Sequence, residues 1–516
     1  MKKGVSKSHQ KGEPQKSLVA QSIDKVAVDT YNGRIHIDWD HNAAVTPFGQ
    51  LAFFIEFLKV TELFDEYVKS CPLTFTSPNA PNKRDILGTI LFSVLAGHTR
   101  YAHMATVRTD KVNPPLLGMN KIVSDDSVRR GLNRISQESG RDWLVESLKK
   151  SYSGLLNIPW ICDVDTTVKC LYGHQEGAVV GYNPRKPGRP SHQYHSYMIA
   201  GIRMILDVEV MPGNESSAKH TLPYLFSWLD SIAAEQRPQF IRGDCNFGTD
   251  AVMTACEERQ QPYLFKVKQT PNIKRFISQK MVESKWVTAG QGWEGAEGFL
   301  KLMGWEEERR IVVLRRKLKK EVGVLQKDKL SGQEVFHFAE MGEDMQVYEY
   351  AALVTTLDDE ILTIAQHYRD RADSENNFDE LKNQWGWAGY TTHDLHRCQL
   401  MARIIALIYN WWTLFVRVIN PSNHLEAITS RPLLLHAVGR QVHHAGQKII
   451  QLSSSHADFK KMQPVLSCVS DFFKKLMACA EQLSPKERMV QILYRAFKKF
   501  IDSVQLKPQK LLLTPG

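Results

Sequence analysis

Eight cysteines are scattered along 516 residues, and no two of them stand as a CxxC pair. The chain therefore offers neither a zinc site nor a disulfide framework, and its thiol usage fits a reducing cytosol. Cys162 and Cys245 read as core or turn residues rather than nucleophiles. The histidines show no metal-ligand spacing on a recognisable helix, and His192 and His195 read as strand-surface residues, with substrate contact as the alternative. Long hydrophobic runs are missing as well. The longest apolar helix candidate, Ile404–Val418, contains Asn410 and Arg417 and falls short of the ~20 residues that a bilayer requires. A buried helix is expected there, and no membrane contact. Lys2, Lys3, Lys7, Lys11 and Lys16 come without an apolar segment, which predicts a disordered basic tail and no secretory signal. No internal repeat is found. Acidic side chains are the scarcer charge: 56 Asp and Glu oppose 66 Lys and Arg, for a net charge of +10 and a pI near 9.0. That excess favours a polyanionic partner.

What is present is a soluble-type composition, 43% hydrophobic and 24% charged, on a chain long enough for roughly two to four domains. Its most informative stretch is Tyr368–Lys382, YRDRADSENNFDELK. Read as one helix, it gathers Tyr368, Arg371, Glu375 and Lys382 within an arc of roughly 60°. Apolar residues at this spacing would make a core stripe. A phenol, a guanidinium, a carboxylate and an ammonium instead suit work on phosphates. The alternative is an exposed helix laced with ion pairs.

Two further acids lie upstream, each expected at the end of a buried strand. In Ile158–Val168, IPWICDVDTTV, an apolar run meets Asp163 and Asp165. Two apart in a strand, they share one side, and geometry does not choose between them. In Gln239–Gly248, QFIRGDCNFG, a short apolar strand runs into Asp244 and a Gly-rich turn, with a helix starting near Asp250. Either acid alone also reads as an ordinary strand-end turn residue.

The spacing Y-x2-R-x3-E-x6-K, behind two such acids in order, resembles the Y-R-E-K signature of bacterial insertion-sequence transposases of the DDE class. The resemblance covers about Ile158 to Trp412. It implies an α/β fold: an RNase H-like core interrupted by a β-rich insertion and flanked by mainly helical regions. It selects Asp165, followed by Thr166 and Thr167, as first acid, Asp244 as second and Glu375 as third. Asp379, roughly 40° from Glu375 on the same helix face, fits neither family interval. The three acids are expected to hold Mg²⁺, with Mn²⁺ as an alternative, while Tyr368, Arg371 and Lys382 hold phosphates. The implied activity is metal-dependent cleavage at the element's ends and strand transfer into target DNA, by cut-and-paste. DNA is the expected partner, as terminal inverted repeats and as target, with a homodimer assembled on it. A cytoplasmic, nucleoid-associated location in a bacterium follows. The rival reading is a catalytically silent DNA-binding protein that keeps the fold.

The interval from Asp244 to Glu375 exceeds what such a core needs. From Lys268 to Leu357 helical periodicity weakens. Strand-like runs are read at Gly298–Met303, Arg310–Leu314, Glu334–Phe338 and Tyr348–Thr355, with Gly290–Gly292 and Gly295 among the turns. Arg309–Lys320, RRIVVLRRKLKK, is a DNA contact or a solvated face. Trp286, Trp293 and Trp305 are candidates for holding a flipped base, or core residues. Further DNA contacts are expected from Arg185, Lys186 and Arg189 in the loop Gly181–Pro190, and from Arg129 and Arg130 in Ser124–Ile135. The latter reads as a recognition helix, or as a helix stabilised by Asp125–Arg129 and Asp126–Arg130 pairs. Val26–Trp39 predicts a hairpin turning at Asn-Gly. Two strands are expected over Tyr194–Ile205 and Val208–Met211, turning at Leu206–Asp207. The expected organisation is a tail at 1–23, a hairpin and helical DNA-binding region at 24–157 and a core at 158–267. An insertion at 268–357, the core's second part at 358–392 and an all-helical region at 393–516 complete it.

Overall fold

The computed structural model describes residues 25–40, 42–183, 186–283, 285–318, 348–454, 458–479 and 482–503. The basic tail, Arg185 and the expected strand Glu334–Phe338 lie outside them. The chain divides into two units, one ending at Ala44 and one beginning at Val45. The first contains the hairpin β1 (Val26–Thr30) and β2 (Gly33–Ile37). Thr30 pairs with Gly33, so Tyr31 and Asn32 form the loop, one residue earlier than expected. Gly33, at φ 99°, takes the positive dihedral just after it.

The second unit opens with β3 (Val45–Thr46) and is built on one ten-stranded sheet. Its centre is β4 (Ile161–Cys170), with β5 (Val179–Val180), β6 (Pro190–Ile199) and β7 (Met204–Pro212) following in the chain. β6 lies antiparallel between β4 and β7. β8 (Phe240–Gly243) runs parallel to β4, and β9 (Tyr263–Lys266) parallel to β8. The helices Ser217–Asp230 and Asp250–Glu258 make the two crossovers. Three antiparallel strands followed by two parallel ones give the α/β, RNase H-like core that was expected.

The insertion does not fold away from this sheet. β10 (Val287–Gly290), β11 (Trp293–Leu300), β12 (Arg309–Lys317) and β13 (Tyr348–Thr355) are antiparallel neighbours, and β13 pairs with β9. Gly295 lies within β11 rather than in a turn, because a Cβ there would come within 2.3 Å of Ile361 Cγ2. The glycine admits a helix onto the strand. The turn expected at Leu206–Asp207 is also inside a strand. Asp207 is buried in β7 and accepts from Arg403 Nε (2.8 Å) and Nη2 (3.1 Å). A distant arginine thus lets an aspartate sit where local preference would turn the chain.

Arg403 belongs to the helix Leu395–Ile419, long and apolar enough to cross a membrane by length and composition, yet buried inside the protein. Asn410, midway along it, exchanges hydrogen bonds with Ile205: the Ile205 amide donates to Asn410 Oδ1 (2.9 Å) and Asn410 Nδ2 to the Ile205 carbonyl (2.8 Å). The following region is not all-helical. β14 (Gly439–His444) and β15 (Gln447–Leu452) form a hairpin that pairs with β3.

Candidate active site

The register of two strands brings the first two acids together. β4 and β8 pair Asp163 with Arg242 and Val164 with Gly243. One residue later β8 ends and the chain continues into Asp244, so Asp165 and Asp244 leave at the same level on adjacent strands, ~4.8 Å apart as backbones. Asp165 itself is mid-strand, since β4 continues to Cys170 along β6. Only its β8 edge stops there. The sharp exit after β8 needs a glycine: a Cβ on Gly243 would lie 2.9 Å from the Phe247 ring and from Val164 Cγ2. Asp244 is then fixed by Asn246, whose backbone amide and Nδ2 both donate to it (2.8 and 3.1 Å), as in an Asx turn.

The same register settles which of the paired aspartates is engaged elsewhere. Asp163 receives Arg242 through two parallel bonds, Nε to Oδ1 (2.6 Å) and Nη2 to Oδ2 (2.8 Å), with both side chains almost fully buried. Ser374 Oγ donates to the same carboxylate (3.0 Å), and Arg242 Nη1 donates to the His367 carbonyl. Asp163 is therefore a clamp between the sheet and the two helices that follow β13.

Those two helices replace the single one expected. Ile361–Arg369 ends before Arg371, and Ala372–Asn383 begins after it. Across the break Arg371 N donates to the Tyr368 carbonyl, Asp373 N to Asp370 and Ser374 N to Arg371, a tighter three-residue spacing. The signature residues nonetheless come back to β4. Arg371 Nη1 donates to Asp165 Oδ2 (2.7 Å) and Nη2 to Glu375 Oε1 (3.1 Å), so one guanidinium bridges the first and third acids. It also lies over the Tyr368 ring, 5.9 Å from its centre. Lys382 Nζ donates to the Val168 carbonyl (3.0 Å), three residues along β4 from Asp165. Asp379 is exposed and accepts from Asn383 Nδ2 (2.7 Å). The back of the acid-bearing helix is anchored by Arg203 Nη2 on Asp373 (2.6 Å) and by buried Glu380, which His424 Nε2 meets at 2.8 Å.

Electrostatics follow from this crowding. Burial pushes the Asp165 carboxyl up to about 7; Arg371 and the Thr166 amide oppose the rise, while the charges of Asp244 and Glu375 add to it. Burial likewise pushes the Tyr368 phenol up to about 12, against Arg371. Burial would lower Arg371, but Asp165, Tyr368, Asp244 and Glu375 together raise it, so it stays charged. Among the described residues no three His, Cys, Asp or Glu side chains are gathered closely enough to hold a metal ion. Glu375, with its side chain 69% exposed, reaches Arg371 rather than the aspartates. Burial first of all raises the thiols of both Cys162 and Cys245, which disfavours the thiolate form.

Several sequence expectations need correction. His192 and His195 are buried, not on a strand surface. His195 Nδ1 lies 3.1 Å from the hydroxyl of Thr166, on the opposite side of β4 from Asp165. The arginines of β12 are taken up internally. Arg309 is buried against Asp250 (2.6 Å) and Glu257 (2.7 Å), Arg310 pairs with Glu297, Arg315 with Glu294 and Arg316 with Glu349. Three of them cover the candidate tryptophans: Arg315 lies 4.0 Å from the Trp286 ring centre, Arg316 4.9 Å from Trp293 and Arg309 5.3 Å from Trp305. Arg129 forms the i,i+4 pair given as the alternative to a recognition helix, with its side chain 40% exposed. It pairs with Asp125 (2.6 Å) over the buried ring of Tyr101. Arg130 is exposed, and its Nε donates only to the Asp126 backbone carbonyl (3.3 Å). Lys186 and Arg189 flank exposed Tyr172, 5.1 and 4.9 Å from its ring centre. The sequence reading missed Arg242, Ser374 and Arg203 as positioning residues. An arginine inside an apolar strand, as in Phe240–Gly243, was the available signal, because such a residue demands a buried acid.

Residues 77–472 match the family model of transposase DDE domain group 1. Among solved structures the chain is similar to a piggyBac transposase synaptic complex with hairpin DNA, determined by cryo-EM. Identity is 11% over 91% of this chain and 87% of that one, with a TM-score of 0.38. No curated protein matches the sequence.

Proposed function

The chain belongs to the transposase DDE domain group 1 family, and from that premise we propose that it is a DNA transposase of the Y-R-E-K type. It cleaves the ends of its own insertion sequence and joins them to target DNA, by cut-and-paste. One observation carries the reading: the parallel register sets Asp165 beside Asp244, and Arg371 ties Glu375 to Asp165. The rival, a silent DNA-binding protein, gives no role to two aspartates set on adjacent strands and a glutamate tied to the first of them through Arg371.

DDE transposases use divalent metal ions, and the donor set suits one. Its members are hard carboxylate oxygens, which favour Mg²⁺ or Mn²⁺ over zinc. Burial raises Asp165, and the charges of Asp244 and Glu375 add to the rise; a bound cation would offset both. Asp165, Asp244 and Glu375 would hold the metal, which when bound activates the attacking oxygen and stabilises the leaving oxygen of an in-line phosphoryl transfer. The chain's own residues do the rest. Arg371 offers a fork that can pass from the carboxylates to a phosphate, and exposed Glu375 is free to swing toward the aspartates. Tyr368 packs beneath that fork. Lys382 sets a positive charge beside β4, and Lys186 and Arg189 with Tyr172 add a basic, aromatic surface for the strand. A homodimer on DNA and a cytoplasmic, nucleoid-associated location in a bacterium belong to the same proposal.

The direct test is incubation of the chain with DNA carrying the element's own ends. Nicking at the end with Mg²⁺ or Mn²⁺, absent with EDTA, is expected. Binding without cleavage in either metal would leave the silent reading standing. Stability offers an independent check. Asp165 holds its proton more tightly folded than unfolded, where a carboxyl titrates near ~4. The contribution of Asp165 to the stability of the chelator-treated chain is therefore lost as pH rises from about 4 to about 7. Asp165→Asn should flatten the thermal midpoint across that window, and equal slopes for the two proteins would refute the assignment.

A further inference from the structure

Outside the acid site, one cleft of about 480 Å³ draws cations from four positions: Arg108, Lys121, Arg130 and Arg134. All four are exposed, and among the described residues none of them forms an ion pair. The arginines of β12 and several of the core behave otherwise and meet carboxylates, as Arg242, Arg309, Arg371 and Arg403 do. Arg129 and Arg130 show the contrast within one helix, Asp125–Leu132: the first pairs with Asp125 beside Tyr101, the second lines the cleft with no ion pair among the described residues. Arg134 stands in the turn just after that helix and lines the same cleft as Arg130. Phe75 lies under the Arg134 guanidinium at 5.5 Å and stiffens it at the rim. Ser77 and Asn79 on the facing loop bring neutral donors.

We infer that this cleft grips the sugar-phosphate backbone of duplex DNA. The charges stand on three separate stretches of chain around an open cleft, and none is buried. That suits a run of phosphates neutralised by exposed cations rather than one chelated phosphate group. The contact is independent of base sequence and positions the duplex. Arg130 thus touches backbone, not the base edges expected of a recognition helix. The inference rests on the transposase reading for its choice of DNA.

The experiment uses the full chain and a labelled linear duplex of arbitrary sequence, with anisotropy read over a range of salt. Lys121→Gln with Arg130→Gln should lower the magnitude of the slope of log K against log[salt] by about 0.9 per cation removed, roughly 1.8 in all. Affinity at low salt should fall by tenfold or more. Lys121→Arg with Arg130→Lys should keep the slope, and an unchanged thermal midpoint shows that the fold survives. A Gln pair with the unaltered slope, beside a native chain that binds DNA, overturns the cleft and spares the transposase reading. A native chain that binds no duplex overturns both. Inorganic pyrophosphate titrated alone is the remaining arm. If it binds through Lys121 and Arg130 while the duplex does not depend on them, the cleft is a free-anion site and the proposal fails.

Discussion

Glu375→Gln is expected to lower strand cleavage by several orders of magnitude while DNA binding persists, and Asp379→Asn is expected to leave cleavage near that of the unaltered chain. Each substitution removes a charge and keeps the shape. The structure separates the two acids, although they sit close on one helix face. Glu375 shares the Arg371 guanidinium with Asp165 and acts on the Asp165 charge. Asp379 is a turn further on, exposed and bonded to Asn383. A loss of about 10³ corresponds to about 4 kcal/mol of transition-state stabilisation, a reasonable share for one of three charged groups at a reacting phosphate. Asp165→Asn and Asp244→Asn should be as damaging. Cleavage should be measured on the element's ends with Mg²⁺, alongside binding in EDTA. The reverse ranking of Glu375 and Asp379 would overturn the Y-R-E-K assignment.

The second large effect concerns stability, not chemistry. Asp163→Ala leaves Arg242 buried without its carboxylate, and losing one partner of a buried pair costs about 3–5 kcal/mol. The bond from Ser374 disappears with it, so the sheet loses its grip on the acid-bearing helix. Thermal or denaturant unfolding should show a clear fall in the midpoint. Replacing both Asp163 and Arg242 by apolar residues of similar volume should restore most of it, because no uncompensated charge then remains. Asp163→Ala with full stability and no cleavage would mark Asp163, not Asp165, as the first acid.

Much of the site was legible because it is local. The Gly-Asp step after β8 is written in Gly243 and Asp244, whose neighbours Asn246 and Phe247 make the turn within a few residues. Tyr368, Arg371, Glu375 and Lys382 follow a spacing that survives even though the helix is broken at Arg371, since the break costs little rotation. The strands β12 and β13 were visible in their apolar runs. Less visible was anything whose reason lies far along the chain. Gly295 reads as a turn until Ile361 is seen above it. Asp207 reads as a turn until Arg403 reaches it.

The family resemblance singled out Asp165, Asp244 and Glu375, and by itself the sequence determined two aspartate motifs on apolar strands, the mixed chemistry of Tyr368–Lys382, and an α/β core interrupted by strands. Each of these sequence features is fixed by periodicity, by turn residues or by spacing within one segment. Only the tertiary structure decided which aspartate of the Asp163–Asp165 pair is engaged as a clamp, because both point to one side and the choice is made by Arg242 on the neighbouring strand. It also decided that the four arginines of the basic strand Arg309–Lys317 are paired with carboxylates while Arg108, Lys121, Arg130 and Arg134 remain exposed around one cleft. A charge in a sequence carries its sign, but whether it faces a carboxylate or solvent depends on residues far away in the chain.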